Sequence, residues 1–106
     1  MTPQALLALA DRCASILPKI AIKREHAERI VSTVRAYIAN PLLDGGDALE
    51  DAAEPYLRAP PMGDDGPPWR AVQFLACAAI DATRGATKGA EYNASRCEHY
   101  LTQLGV

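Results

Sequence analysis

A chain of 106 residues with a net charge of −2 is long enough to bury a core of its own, and it lacks the basic excess of a nucleic-acid binder. Hydrophobic residues make up 49% of it but aromatics only 6%, so much of the apolar content is alanine, the best helix former and a poor strand residue. These proportions point to one all-α domain over residues 1–106, a compact bundle of four or five helices, and no apolar run approaches the roughly 20 residues of a membrane span.

Thr2 followed by Pro3 reads as an N-cap and a first helical position, where the missing proline N–H costs nothing. Leu6, Leu9, Ala10, Cys13, Ile16 and Leu17 then recur at intervals of three and four, so the first helix presents one apolar face. Pro18 disfavours helical geometry at Leu17 and ends or kinks the segment. The stretch KIAIK at 19–23 is a connector whose Ile20 and Ile22 are expected to tuck into the core. The helical period returns over 24–39, with Ala27, Ile30, Val31, Val34, Tyr37 and Ile38 on one face. Asn40-Pro41 is a stop signal, the asparagine being tolerant of a left-handed cap.

After the turn Asp44-Gly45-Gly46, Asp47 and Glu50 have the spacing of a capping box, and a third helix follows. Pro55 lies in what would be its interior, at a cost of ~3 kcal/mol if the helix were forced straight through, so a short or broken helix is expected. Residues 58–68, RAPPMGDDGPP, hold four prolines and two glycines and read as a loop that is also a candidate binding segment. Residues 69–82, WRAVQFLACAAIDA, are apolar over most of a helical circumference, which makes them the central helix of the bundle, about 69–84. Arg70, Gln73, Cys77, Asp81 and Arg84 form its one polar strip. Gly85 and Gly89 mark a break rather than the middle of one thirty-six-residue helix. From Ala90 onward Ala94, Cys97, Leu101 and Leu104 give the last helix its stripe, closed by Gly105.

Few residues are arranged for chemistry. His26 and His99 lack partners at ligand spacing, and Cys97-x-His99 would point in roughly opposite directions on a helix, so no metal and no cofactor is expected. Cys13, Cys77 and Cys97 each lie among apolar neighbours in helical patterns and read as buried free thiols of a reducing cytosol. The first seventeen residues lack a positive leader and are interrupted by Asp11 and Arg12, which argues against a signal peptide and for a cytoplasmic location. Gly85-x-x-x-Gly89 lacks the strand and the Lys-Ser/Thr of a phosphate loop.

Charge, by contrast, is unevenly placed. Residues 1–37 hold six bases against three acids, whereas 38–65 hold Asp44, Asp47, Glu50, Asp51, Glu54, Asp64 and Asp65 against Arg58 alone. Such a region steers a basic protein partner by long-range attraction, or else its acids cap the third helix and pair with Arg24, Arg29 or Arg35.

The succession of Cys13-Ala14-Ser15-Ile16-Leu17-Pro18, a basic-starting segment that reaches Val34-Arg35-Ala36-Tyr37, an acidic alanine-rich helix and an alanine-rich stretch from Ala71 to Ala94 resembles helical immunity proteins of bacterial polymorphic-toxin systems. The resemblance implies a small cytosolic binder that neutralises a cognate toxin and catalyses nothing. It carries no residue roles. The expected function is therefore non-catalytic protein binding through the acidic 44–65 region, with no nucleic acid or membrane partner. The competing reading is a small-ligand or enzymatic bundle with a polar pocket formed by Arg70, Gln73, Tyr92, Arg96 and His99, and a homodimer is a third arrangement that would cover excess apolar surface.

Overall fold

The computed structural model describes residues 1–21, 23–40, 47–58 and 66–106, with the backbone alone at 55–58. They form five α-helices: α1 (Pro3–Ile16), α2 (Arg24–Ala39), α3 (Asp47–Arg58), α4 (Gly66–Thr83) and α5 (Thr87–Gln103), with a 3-10 turn over Leu17–Lys19. There is no strand among the described residues, and the chain is an all-α bundle.

Local chemistry sets most of the boundaries. Thr2 is extended and its Oγ1 accepts the Ala5 N–H at 3.1 Å, with Pro3 opening α1. Pro18 diverts the chain into the 3-10 turn, after which Ile20 is buried as expected; Ile22 lies outside the described residues. Both helices that end in glycine close by the same device. Gly85 has φ +71°, its N–H donates to the Ala82 carbonyl at 3.2 Å, and the Ala86 N–H reaches the Asp81 carbonyl at 2.9 Å. Gly105, at φ +76°, repeats the pattern at the end of α5 through Thr102 and Leu101. A left-handed residue after the last turn satisfies carbonyls that would otherwise be orphaned, and only glycine takes that geometry without strain. The break at Gly85 is thus real, and Gly89 lies inside α5.

Three local expectations are corrected. The backbone of α3 runs helically through Pro55 to Arg58, because a proline this near a helix end forfeits a single backbone hydrogen bond. Asn40 closes α2 at φ −147°, not in a left-handed conformation. Asp47 is the first helical residue rather than a preceding cap, and the Glu50 carboxylate is taken by Arg84.

α4 is the centre of the bundle, packing against each of the other four helices, α3 included. Pro67 and Pro68 occupy its first turn, so the helix begins three residues before Trp69. Trp69, Ala71, Val72, Leu75, Ala76, Ala78, Ala79 and Ile80 are buried, and each large side chain among them contributes ~1.5–3 kcal/mol by leaving water. The remaining core comes from one face of each neighbour: Leu6, Ala10, Cys13 and Ile16 of α1, Ile30, Val31 and Val34 of α2, Leu49, Ala52 and Ala53 of α3, and Cys97 and Leu101 of α5. Among the described residues no charged or polar side chain is buried, and no helix is long and apolar enough to cross a membrane.

Candidate functional site

The core face of α3 dictates where its acids go. With Leu49, Ala52 and Ala53 turned inward, Asp47, Glu50, Asp51 and Glu54 stand at i, i+3, i+4 and i+7 and share one exposed arc about 100° wide. Asp47 and Glu50 lie in the first turn, where the helix dipole favours negative charge. Asp51 and Glu54 lie beyond it. Like charges at these spacings repel by a few tenths of a kcal/mol per pair, roughly 0.2–0.5.

The arc borders an open groove of about 360 Å³ between α3 and α4, lined by Glu50, Asp51, Glu54, Ile80 and Arg84. Arg84 Nη2 donates to Glu50 Oε1 across it, so one acid of the four is answered from α4. Of the bases expected to pair with this region, Arg35 binds Asp11 at 2.5 Å, and Arg24 donates to the Ile20 and Pro18 carbonyls at 2.8 and 3.1 Å. Asp44, Asp64 and Asp65 lie outside the described residues.

The polar strip of α4 divides between two neighbours. At its C-terminal end Arg84 meets α3, while Asp81 turns to α5, where Asn93 Nδ2 donates to Asp81 Oδ2 at 2.8 Å. Gly89 permits that approach, since a Cβ there would stand 2.6 Å from the same oxygen. Cys77 is half-buried, and its thiol is pushed above its ordinary range first by burial and then by the Asp81 charge. At the other end Arg70 Nη1 donates to Gln73 Oε1 at 2.9 Å, within the same helix.

Of the alternative pocket residues, Arg96 and His99 come together around an aromatic stack. Phe74 and Tyr100 lie parallel with ring centroids 5.8 Å apart, and the Arg96 guanidinium sits 5.9 and 5.4 Å from their centres. His99 meets Tyr100 edge-on at 5.3 Å and shares a 3.0 Å hydrogen bond with Gln103. Tyr92 is 63% exposed. Arg96 is thus held against ring faces, a cation–π arrangement that stiffens the seam between α4 and α5.

Two features escaped the sequence reading. Cys13 of α1 and Cys97 of α5 meet in the core with their sulfurs 3.8 Å apart. Helical periodicity marks each as inward-facing but carries no information on which inward residues of distant helices touch. Beside them, a groove of about 410 Å³ runs between α1 and α5, lined by Met1, Ala5, Ala8, Leu9 and Arg12 on one side and Glu91, Ala94, Ser95 and Glu98 on the other. Its small side chains are visible in the sequence, but the spacing of two non-consecutive helices is not. No cluster of three metal-ligating side chains occurs among the described residues. No protein-family model, curated protein or solved structure matches the chain.

Proposed function

We propose that the protein is a non-catalytic binding module whose acidic α3 face docks a basic protein surface. The observation that carries this reading is the confinement of Asp47, Glu50, Asp51 and Glu54 to one exposed arc beside an open groove. A partner presenting lysines or arginines would relieve the repulsion within the arc and gain association rate from its field. Toxin neutralisation in the cytoplasm is the specific form suggested by the resemblance to helical immunity proteins.

The test reverses Asp51 to lysine, leaving Glu50 to Arg84 and Asp47 to the helix terminus. Far-UV circular dichroism should show an unchanged helical content, because the Asp51 side chain is exposed. Wild-type protein used as bait in an extract of the producing cells should retain a basic partner whose affinity, measured by calorimetry, falls as salt rises. The reversed variant should bind it at least tenfold more weakly, the equivalent of about 1.4 kcal/mol. Equal affinity of the two proteins, or a partner whose binding is insensitive to salt, would sink the proposal.

A further inference from the structure

Cys13 and Cys97 lie at the junction of α1, α4 and α5. Cys13 Sγ lies 3.9 Å from the Ala71 carbonyl of α4 and 3.8 Å from Cys97 Sγ, and either sulfur can donate in the contact between the two. Both are fully buried. Leu9 and Arg12, four and one residues before Cys13, line the α1/α5 groove, as do Ala94 and Glu98 on either side of Cys97. An ion pair between Arg12 Nη1 and Glu98 Oε1, 3.5 Å long and with side chains 31% and 64% exposed, crosses the groove at that end. Exposed pairs of this kind contribute little, while Arg12 Nη2 also donates to the Val106 carbonyl at 2.7 Å.

We infer that Cys13 and Cys97 form an oxidisable dithiol site, which a peroxide entering by the α1/α5 groove closes to a disulfide joining the first helix to the last. One sulfur, as thiolate, attacks a peroxide oxygen; the S–O bond forms, the O–O bond breaks, and the departing hydroxide takes a proton to become water. The second sulfur then displaces the hydroxyl of the resulting sulfenic acid, which leaves as a second water once protonated. Two thiols lose two electrons and two protons, and one peroxide becomes two waters. For the bond to form, the sulfurs must close from 3.8 Å to bonding distance, about 2.05 Å. The hydrogen-bonding contact with Cys97 and then burial hold the Cys13 thiol above its ordinary range while Arg12 opposes them, so closure is slow at neutral pH and quickens in alkali. The link would lock the α1/α5 seam across a loop of 84 residues.

The experiment uses the Cys77→Ser protein, in which only this pair remains, and hydrogen peroxide as the probe. After exposure in native buffer, unfolding and alkylation, mass spectrometry should show the loss of two hydrogens, no alkyl groups and a peptide linking residues 13 and 97 that reducing agent separates. The oxidised form should also melt higher, by on the order of 10 °C, as a long closed loop predicts. In the Cys77→Ser/Cys97→Ala double variant the two-hydrogen loss should disappear. Two alkylated sulfurs, under conditions that oxidise the same chain in concentrated urea, would overturn the inference. So would a sulfinic product without the cross-link, a disulfide between two chains, or an oxidised form that melts no higher than the reduced one.

Discussion

Gly89 offers the sharpest test of the α4/α5 packing, because the sign of the effect depends on a neighbour. In an ordinary helix interior, glycine to alanine is stabilising by about 0.8–1 kcal/mol. Here the new Cβ would stand 2.6 Å from Asp81 Oδ2 and 3.1 Å from its Cγ, so the carboxylate must turn away. Turning breaks the 2.8 Å bond from Asn93, and a hydrogen bond to a charged acceptor is worth about 1.5–3 kcal/mol. The bond is only partly buried, which favours the lower end of that range. Gly89→Ala should therefore destabilise the protein by about 0.5–0.7 kcal/mol, lowering Tm by about 2–3 °C for a chain of this length. In an Asp81→Ala background the obstruction is gone, and the same substitution should stabilise by about 0.5–1 kcal/mol. Urea denaturation of the four proteins, followed by circular dichroism, yields the coupling energy directly. If Gly89→Ala were equally stabilising in both backgrounds, the close approach of Asp81 to α5 would be wrong.

Two further outcomes follow from the backbone and the buried thiols. Gly85→Ala should cost about 1 kcal/mol through its positive φ alone, since no neighbouring atom lies within 4 Å, whereas Gly66→Ala, with equal space and no positive φ, should be neutral or stabilising by thermal melts; equal effects at the two sites would refute the conformational account. Cys13 and Cys77 both hold their protons more tightly in the folded state than at the ordinary thiol value of 9.0. Their contribution is present in full below that value. Above it the unfolded chain releases protons that the native one keeps, so stability should fall as pH rises past 9, by up to about 1.4 kcal/mol per pH unit for each thiol. Denaturation at pH 8 to 11 should show a shallower fall in Cys77→Ser, and an unchanged slope would count against the burial of that thiol.

The two surfaces of interest differ in how they are built. The acidic arc of α3 belongs to one helix and follows from its own spacing, so it needs no tertiary fold beyond the burial of Leu49, Ala52 and Ala53. The dithiol belongs to three helices, with Cys13 and Cys97 separated by 84 positions and tied to Ala71 between them. Alteration of the arc should leave the core untouched, while closure of the dithiol would act on the whole bundle.

What the sequence determined by itself is local. Thr2 and Pro3 start α1, Pro18 ends it, Gly85 and Gly105 close α4 and α5, and the apolar girth of α4 makes it central, because caps and periodicity depend on residues within a turn or two of one another. At Pro55 the local rule was applied too strictly, since so near a helix end it costs one backbone bond and α3 continues to Arg58. Only the tertiary structure decided which faces meet: Arg84 with Glu50, Asp81 with Asn93 over Gly89, Arg96 with Phe74 and Tyr100, and Cys13 with Cys97. Those partners depend on the axial offset and rotation of helices joined by long connections. Periodicity assigns a residue to a face, but close packing alone settles what lies opposite it.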